Sequence, residues 1–116
     1  ARGADRLDIG PVLDTLEADG LLSDARFAEA FVRQRIQRGH GPVRIRHELG
    51  QRGVDERAAE AAMAEADPDW DERAVRARHG RFGRQKPADF KDRARQARFL
   101  TDRGFTADQV RRALEA

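Results

Sequence analysis

A chain of 116 residues can form one domain or a short array of smaller units, and its 38% charged and 39% apolar residues fall in periodic patterns that exclude a disordered chain. Its 23 basic and 21 acidic side chains leave a net charge of only +2, so bulk charge does not mark a nucleic-acid binder, and the absence of Cys excludes a disulfide framework or a thiolate metal site. No apolar run approaches the about 20 residues of a membrane span and no leader pattern is present, so the cytoplasm is the expected compartment; the start at Ala1 without Met points to a processed or cut N-terminus.

Three strings set a register: Arg2-Gly3-Ala4, Arg52-Gly53-Val54 and Arg103-Gly104-Phe105, fifty and fifty-one residues apart. Similar apolar residues follow each, and Leu49 matches Leu100 as Arg44 matches Arg95. A fixed period of this size predicts tandem helical repeats. Residues 1–9 read as the end of one helix and a turn, and residues 10–19 as the third helix of a unit whose first two helices are missing. A new helix is expected from Ser23 or Asp24 to about Arg38, with Phe27, Ala28, Phe31, Val32 and Ile36 as its apolar stripe. Arg35 falls near the middle of that stripe, where a charge must snorkel or find an internal partner.

Gly39-His40-Gly41 stops this helix, and Pro42 suits the first turn of the next. That second helix carries Ile45 and Leu49 and ends at Gly53, placed to take the left-handed conformation. Asp55 caps an Ala-rich third helix to about Ala66. Asp67 and Pro68 are expected to open a fourth, with Trp70, Ala74 and Ala77 inward, weakened at Gly80 and Gly83. Lys86-Pro87 is expected to open a fifth, with Phe90, Ala94, Ala97 and Leu100 inward. Thr106 and Gln109 form a capping box with Phe105 and Val110 at the staple positions, the best-specified helix start in the chain. The reading is an all-α fold of tandem three-helix repeats in an elongated, curved, solenoid-like arrangement. Its divisions are a remnant at 1–20, a second repeat at 21–66 and a third at 67–116.

Charge alternates with the repeat. Residues 24–53 hold seven basic and three acidic side chains, and residues 70–103 hold eleven and five. Residues 54–69 hold one basic and six acidic, and residues 1–20 two and five. Salt bridges between neighbouring helices are the plain explanation, each worth about 0–1 kcal/mol. The functional explanation is a basic face for an acidic or phosphate-bearing partner, with Arg26, Arg33, Arg38, Arg44, Arg46, Arg84, Lys86, Lys91, Arg95 and Arg98 as candidate contacts. All basic residues but Lys86 and Lys91 are Arg, whose planar fork suits phosphate and carboxylate, although a GC-rich genome explains the bias equally well.

Signatures of an enzyme are missing. His40, His47 and His79 have no partner at helical spacing, and no metalloprotease, phosphate-loop, dinucleotide or nucleophile-elbow string occurs. Acidic pairs such as Asp55/Glu56 and Asp71/Glu72 fall in first turns, where the helix dipole favours them. No catalytic residue, metal or cofactor is expected. With one Trp and no Tyr, a platform for stacking bases is not expected either.

The stretch from Leu21 to Asp55 resembles the RecX family, bacterial regulators of the RecA recombinase. The family pattern is met at Asp24, Arg26-Phe27-Ala28, Arg35, Gly39, Gly41-Pro42, Arg44, Ile45, Glu48-Leu49 and Gly53, and its weaker C-terminal pattern at Arg95, Phe99-Leu100 and Arg103-Gly104-Phe105. The resemblance implies a non-catalytic monomer that binds in the groove of the RecA–ATP–DNA filament. It would lower ATPase, strand-exchange and LexA-cleavage activities and favour filament loss. Family members normally carry three full units. Weak contact with single- or double-stranded DNA is a lesser expectation. Two other readings stay open: a direct nucleic-acid binder whose basic helix pairs act as helix-turn-helix units, and a generic helical scaffold.

Overall fold

The computed structural model describes the backbone from Pro11 and the side chains from Asp24 onward. Six helices follow one another: α1 (Pro11–Gln37), α2 (Pro42–Gln51), α3 (Glu56–Ala66), α4 (Trp70–Phe82), α5 (Phe90–Asp102) and α6 (Ala107–Glu115). No strand occurs among the described residues. The expected readings of residues 1–9 lie outside them.

α1 packs on α3 and α2 closes that unit, while α4 packs on α6 and α5 closes the second. Each unit has its own core. Phe31, Val32, Ile36, Ile45, Leu49, Ala62 and Met63 fill the first, and Ala74, Leu100, Phe105, Val110, Ala113 and Leu114 the second. Trp70, half-buried, packs against both. The tandem three-helix plan is therefore present, and the principal-axis extents of 64 × 20 × 19 Å make it a rod.

Several helix ends differ from the sequence reading. A break between residues 19 and 24 is absent: α1 runs unbroken from Pro11, so neither Ser23 nor Asp24 begins a helix. Gly20 lies inside that helix, where it costs about 1 kcal/mol against Ala without ending the run. Asp67 does not open α4; it takes φ 35° and ends α3. Asp69 caps α4 by accepting from the Glu72 N–H at 3.0 Å. Lys86-Pro87 likewise gives way to Asp89, which accepts from the Asp92 N–H at 2.8 Å, while the Asp92 carboxylate accepts from the Ala88 N–H at 3.0 Å. Two carboxylates capping each other's turn satisfy more orphan donors than a proline can. In α5 Leu100 is buried and Ala97 packs against the core as expected, but Phe90 is 84% exposed and Ala94 exposed, and Gln96 is buried in their stead. Phe27, expected in the stripe, stands at its rim at 42% exposure with its ring 5.6 Å from that of Phe31. The Thr106–Gln109 box forms in both directions, and Phe105 and Val110 are buried in one cluster.

Candidate functional site

The site begins at the seam between the two units. α2 starts at Gly41, which has no capping side chain. Its free donors are met by the next unit instead: the Gly41 N–H donates to the Arg103 carbonyl at 2.7 Å, and the Val43 N–H to the Gly104 carbonyl at 2.9 Å. Arg103 returns a bond from Nη1 to the Arg38 carbonyl at 3.0 Å. The approach is close enough that a Cβ on Gly41 would collide with the Gly104 and Phe105 backbone, and one on Gly104 with Arg44. Gly104 has φ 101°, which glycine adopts without strain. Main-chain bonds that satisfy a helix terminus thus fix the orientation of one unit on the other.

Fixing the units lays α4 beside the end of α1 and creates a groove of ≈ 310 Å³ between them. Arg38, Arg73, Arg76, Arg81 and Arg103 line it over a floor that includes Ile36, Ala77 and Phe99, and no carboxylate is among its lining residues. Arg76 pairs with Glu72 at 2.9 Å. Among the described residues, no carboxylate pairs with Arg38, Arg73 or Arg81. Arg103 and Arg81 lie over the Phe99 ring, their guanidinium carbons 4.9 and 5.7 Å from its centre. Two further recesses adjoin the groove. One recess shares Ile36, Gln37 and Arg73 and adds Arg33 and Glu65; another shares Arg76 and Gly80 and adds Arg84, His79 and Glu72.

Of the candidate contacts, Arg33, Arg38 and Arg84 lie along this trough. The others do not line it. Arg44 bonds Glu48 at 3.3 Å, Arg46 bonds Glu60 at 2.8 Å, and Arg95 bonds Asp92 at 2.7 Å with its guanidinium 4.8 Å from the Phe82 ring centre. Arg26, Lys86, Lys91 and Arg98 are exposed. Sequence reasoning passed over Arg73, Arg76 and Arg81. Their spacing of three and five residues places them on one side of α4 together with Gly80, with Arg84 just past the helix end, and that is the signal that could have found them.

The motif residues serve the unit itself. Pro42, Ile45 and Leu49 are buried in α2. Arg35 is held as its position in the stripe requires: its Nε lies 3.4 Å from the Glu48 carboxylate and its guanidinium 4.5 Å from the Phe31 ring centre. Glu48 also faces the His40 ring at 3.7 Å. Burial, and next the Arg44 charge, push the His40 pKa below its usual 6.5, and Glu48 opposes them. In the second unit a fully buried Arg78 makes the corresponding link. Its Nε donates to the Ala113 carbonyl at 3.0 Å, and its Nη1 to the Gln85 carbonyl at 3.0 Å and Gln96 Oε1 at 3.2 Å. Among the described residues no His, Asp and Glu cluster could hold a metal ion, and no helix is long and apolar enough to cross a membrane.

This geometry is a rigid pair of three-helix units, and known sequences share the pairing. The model of the second three-helix domain of RecX matches residues 23–63, and that of the third matches residues 68–114. The chain belongs to the RecX family. The Regulatory protein RecX of Halorhodospira halophila is 50% identical over 115 residues, covering 99% of this chain and 71% of that protein. Those of Pseudomonas entomophila and Chromohalobacter salexigens are 44% and 47% identical, over 97% and 98% of this chain and 73% and 74% of theirs. These RecX relatives are named as regulators, not as enzymes.

Proposed function

We propose that this protein is a non-catalytic negative regulator of RecA, acting in the cytoplasm as a monomer. It lies in the groove of the RecA–ATP–DNA filament and lowers ATPase, strand-exchange and LexA-cleavage activities. The observation that carries this beyond family membership is the main-chain seam, because it makes one stiff rod of two units and aligns their arginines on one side. A rod with extents of 64 × 20 × 19 Å can bridge neighbouring protomers and restrain the rearrangement that ATP hydrolysis needs. Within this reading residues 21–66 and 67–116 are two repeats, and 1–20 belong to a preceding one joined through the long α1.

The helix-turn-helix alternative is less well supported. Such a unit reads bases with the N-terminal residues of its second helix. At the start of α2 the N-cap Gly41 and Pro42 are buried against the next unit, and Arg44, exposed in the first turn, is paired with Glu48 at 3.3 Å.

The test is the ATPase rate of RecA on single-stranded DNA, titrated with this protein. Inhibition is expected, and Arg33→Glu with Arg84→Glu should raise the half-inhibiting concentration about tenfold, the scale of one or two lost charge-assisted contacts. An ATPase rate that does not respond to the protein would sink the proposal.

A further inference from the structure

We infer that the outward face at the start of α5 is an anchoring surface for a protein partner, with Phe90 as the anchor and an apolar pocket rimmed by carboxylates as its counterpart. The partner is a RecA protomer, which rests on the function proposed above, and the experiment is chosen so that the two readings can fail separately.

Three observations point to the partner. The first is an apolar pattern that folding leaves unused. Phe90 and Ala94 stand one turn apart on α5 and both are exposed, Phe90 at 84%, more than any other large apolar side chain among the described residues. The core takes Ala97 and Leu100 from the same helix and then turns Gln96 inward, bonded to Arg78. Enclosing the Phe90 ring in a partner would remove its apolar surface from water. The second is rigidity. Asp89 accepts from the Asp92 N–H at 2.8 Å and the Asp92 carboxylate from the Ala88 N–H at 3.0 Å, so the ring stands on a helix start that is already ordered. Little ordering remains to oppose binding. Beside the ring lies a recess of ≈ 460 Å³ with Pro87 and Leu114 among its walls, room for an apolar side chain in return. The third is charge. Lys86 and Lys91, the only lysines of the chain, and Arg98 are exposed, and none has an ion pair among the described residues. They complement carboxylates on a partner. Asp89 and Glu115 line the same recess and would repel a phosphate chain, so the anions belong to a protein surface. Two copies meeting Phe90 to Phe90 would set the same cations against each other. Neither Lys86, Phe90 nor Lys91 lines the arginine trough or its adjoining recesses, so this grip is separate from it.

The test is binding to the RecA filament on single-stranded DNA with ATP, read by co-sedimentation, together with a cross-link from position 90. Phe90→Ser should weaken binding about tenfold or more, as the loss of a central aromatic anchor does. Lys86→Gln with Lys91→Gln should weaken it about threefold and lessen its salt dependence. Val43→Ser, at a 52% exposed apolar position outside this surface, should bind like the parent. Far-ultraviolet circular dichroism checks that the variants are folded. The chain has no Cys, so Phe90→Cys takes a single benzophenone maleimide, which on irradiation should join RecA at an apolar pocket beside Asp or Glu. Three results would overturn the inference and leave the proposed function standing: parent-like binding by Phe90→Ser, an equal loss in Val43→Ser, or an adduct formed only with DNA or with a second copy of this chain. A parent protein with no affinity for the filament would overturn both.

Discussion

Glu48 faces two guanidiniums and an imidazole at once: Arg35 at 3.4 Å, Arg44 at 3.3 Å and His40 at 3.7 Å. Its carboxylate is what allows Arg35 to lie in an apolar stripe, because a largely buried guanidinium without a counter-charge is costly. Glu48→Gln should therefore destabilise the protein by about 2 kcal/mol, between the cost of an unmade buried bond and that of a broken buried pair. Urea unfolding at pH 7 measures this, and a loss below about 0.5 kcal/mol, the usual range for surface changes, would show that the Phe31 ring holds Arg35 by itself. The His40 ring gives a pH dependence of known sign. Its pKa is lowered in the folded state by burial, then by Arg44, with Arg35 and Arg103 adding to the effect and Glu48 opposing it. Below pH 6.5 the unfolded chain binds the proton that the folded ring refuses, so stability should be level above 6.5 and fall as the pH drops through that value. His40→Asn should reduce the slope between pH 6.5 and 5 without abolishing it, since the His79 pKa is also lowered. Urea midpoints across that range test the claim, and an unchanged slope would remove His40 from it.

Elements were legible in the sequence where their signals are local. α6 begins where Thr106, Gln109, Phe105 and Val110 place it, since box and staple involve residues no more than five apart. The starts of α4 and α5 were misplaced because Pro68 and Pro87 are tolerated near a helix start without specifying it, whereas Asp69 and Asp89 accept the orphan N–H bonds. Ser23 and Asp24 are capping residues by type, yet a cap acts only where the preceding chain leaves the helix, and here it does not. The partly polar inner face of α5 has a deeper cause. Gln96 turns inward to accept from Arg78, and a buried polar pair cannot be seen in a pattern of apolar residues. Arg78 ties α4 to α5, to the loop between them and to the last turn of α6 through three acceptors. A Lys at this position keeps the charge but cannot span the acceptors that the fork reaches. Arg78→Lys should cost about 2 kcal/mol, the scale of one or two buried acceptors left unmet. Chemical denaturation gives the number, and a neutral outcome would mean that the charge, not the fork, holds the second unit together.

At the scale of the whole molecule, the repeat supplies its own control for the seam. Gly53 and Gly104 occupy the same place in the two units, with φ 78° and 101°. A Cβ on Gly53 meets nothing within 4 Å, whereas one on Gly104 would meet the Arg44 backbone and Cβ. Both alanine substitutions carry the left-handed backbone term of about 1–2 kcal/mol. Only Gly104→Ala must also push apart the bonds from Gly41 and Val43 that cap α2. Gly53→Ala should lower the melting temperature with a single transition. Gly104→Ala should separate the melting of the two units and raise the radius of gyration above 18.4 Å, as read by scanning calorimetry and small-angle scattering. It leaves every arginine of the trough in the chain but removes the rigid frame that aligns Arg38 with Arg73 and Arg81. If bridging through a stiff rod is how RecA is restrained, Gly104→Ala should lose most of the ATPase inhibition and Gly53→Ala should keep it. Equal inhibition by the two variants would show that the units act independently, and the rod would then have no part in the mechanism.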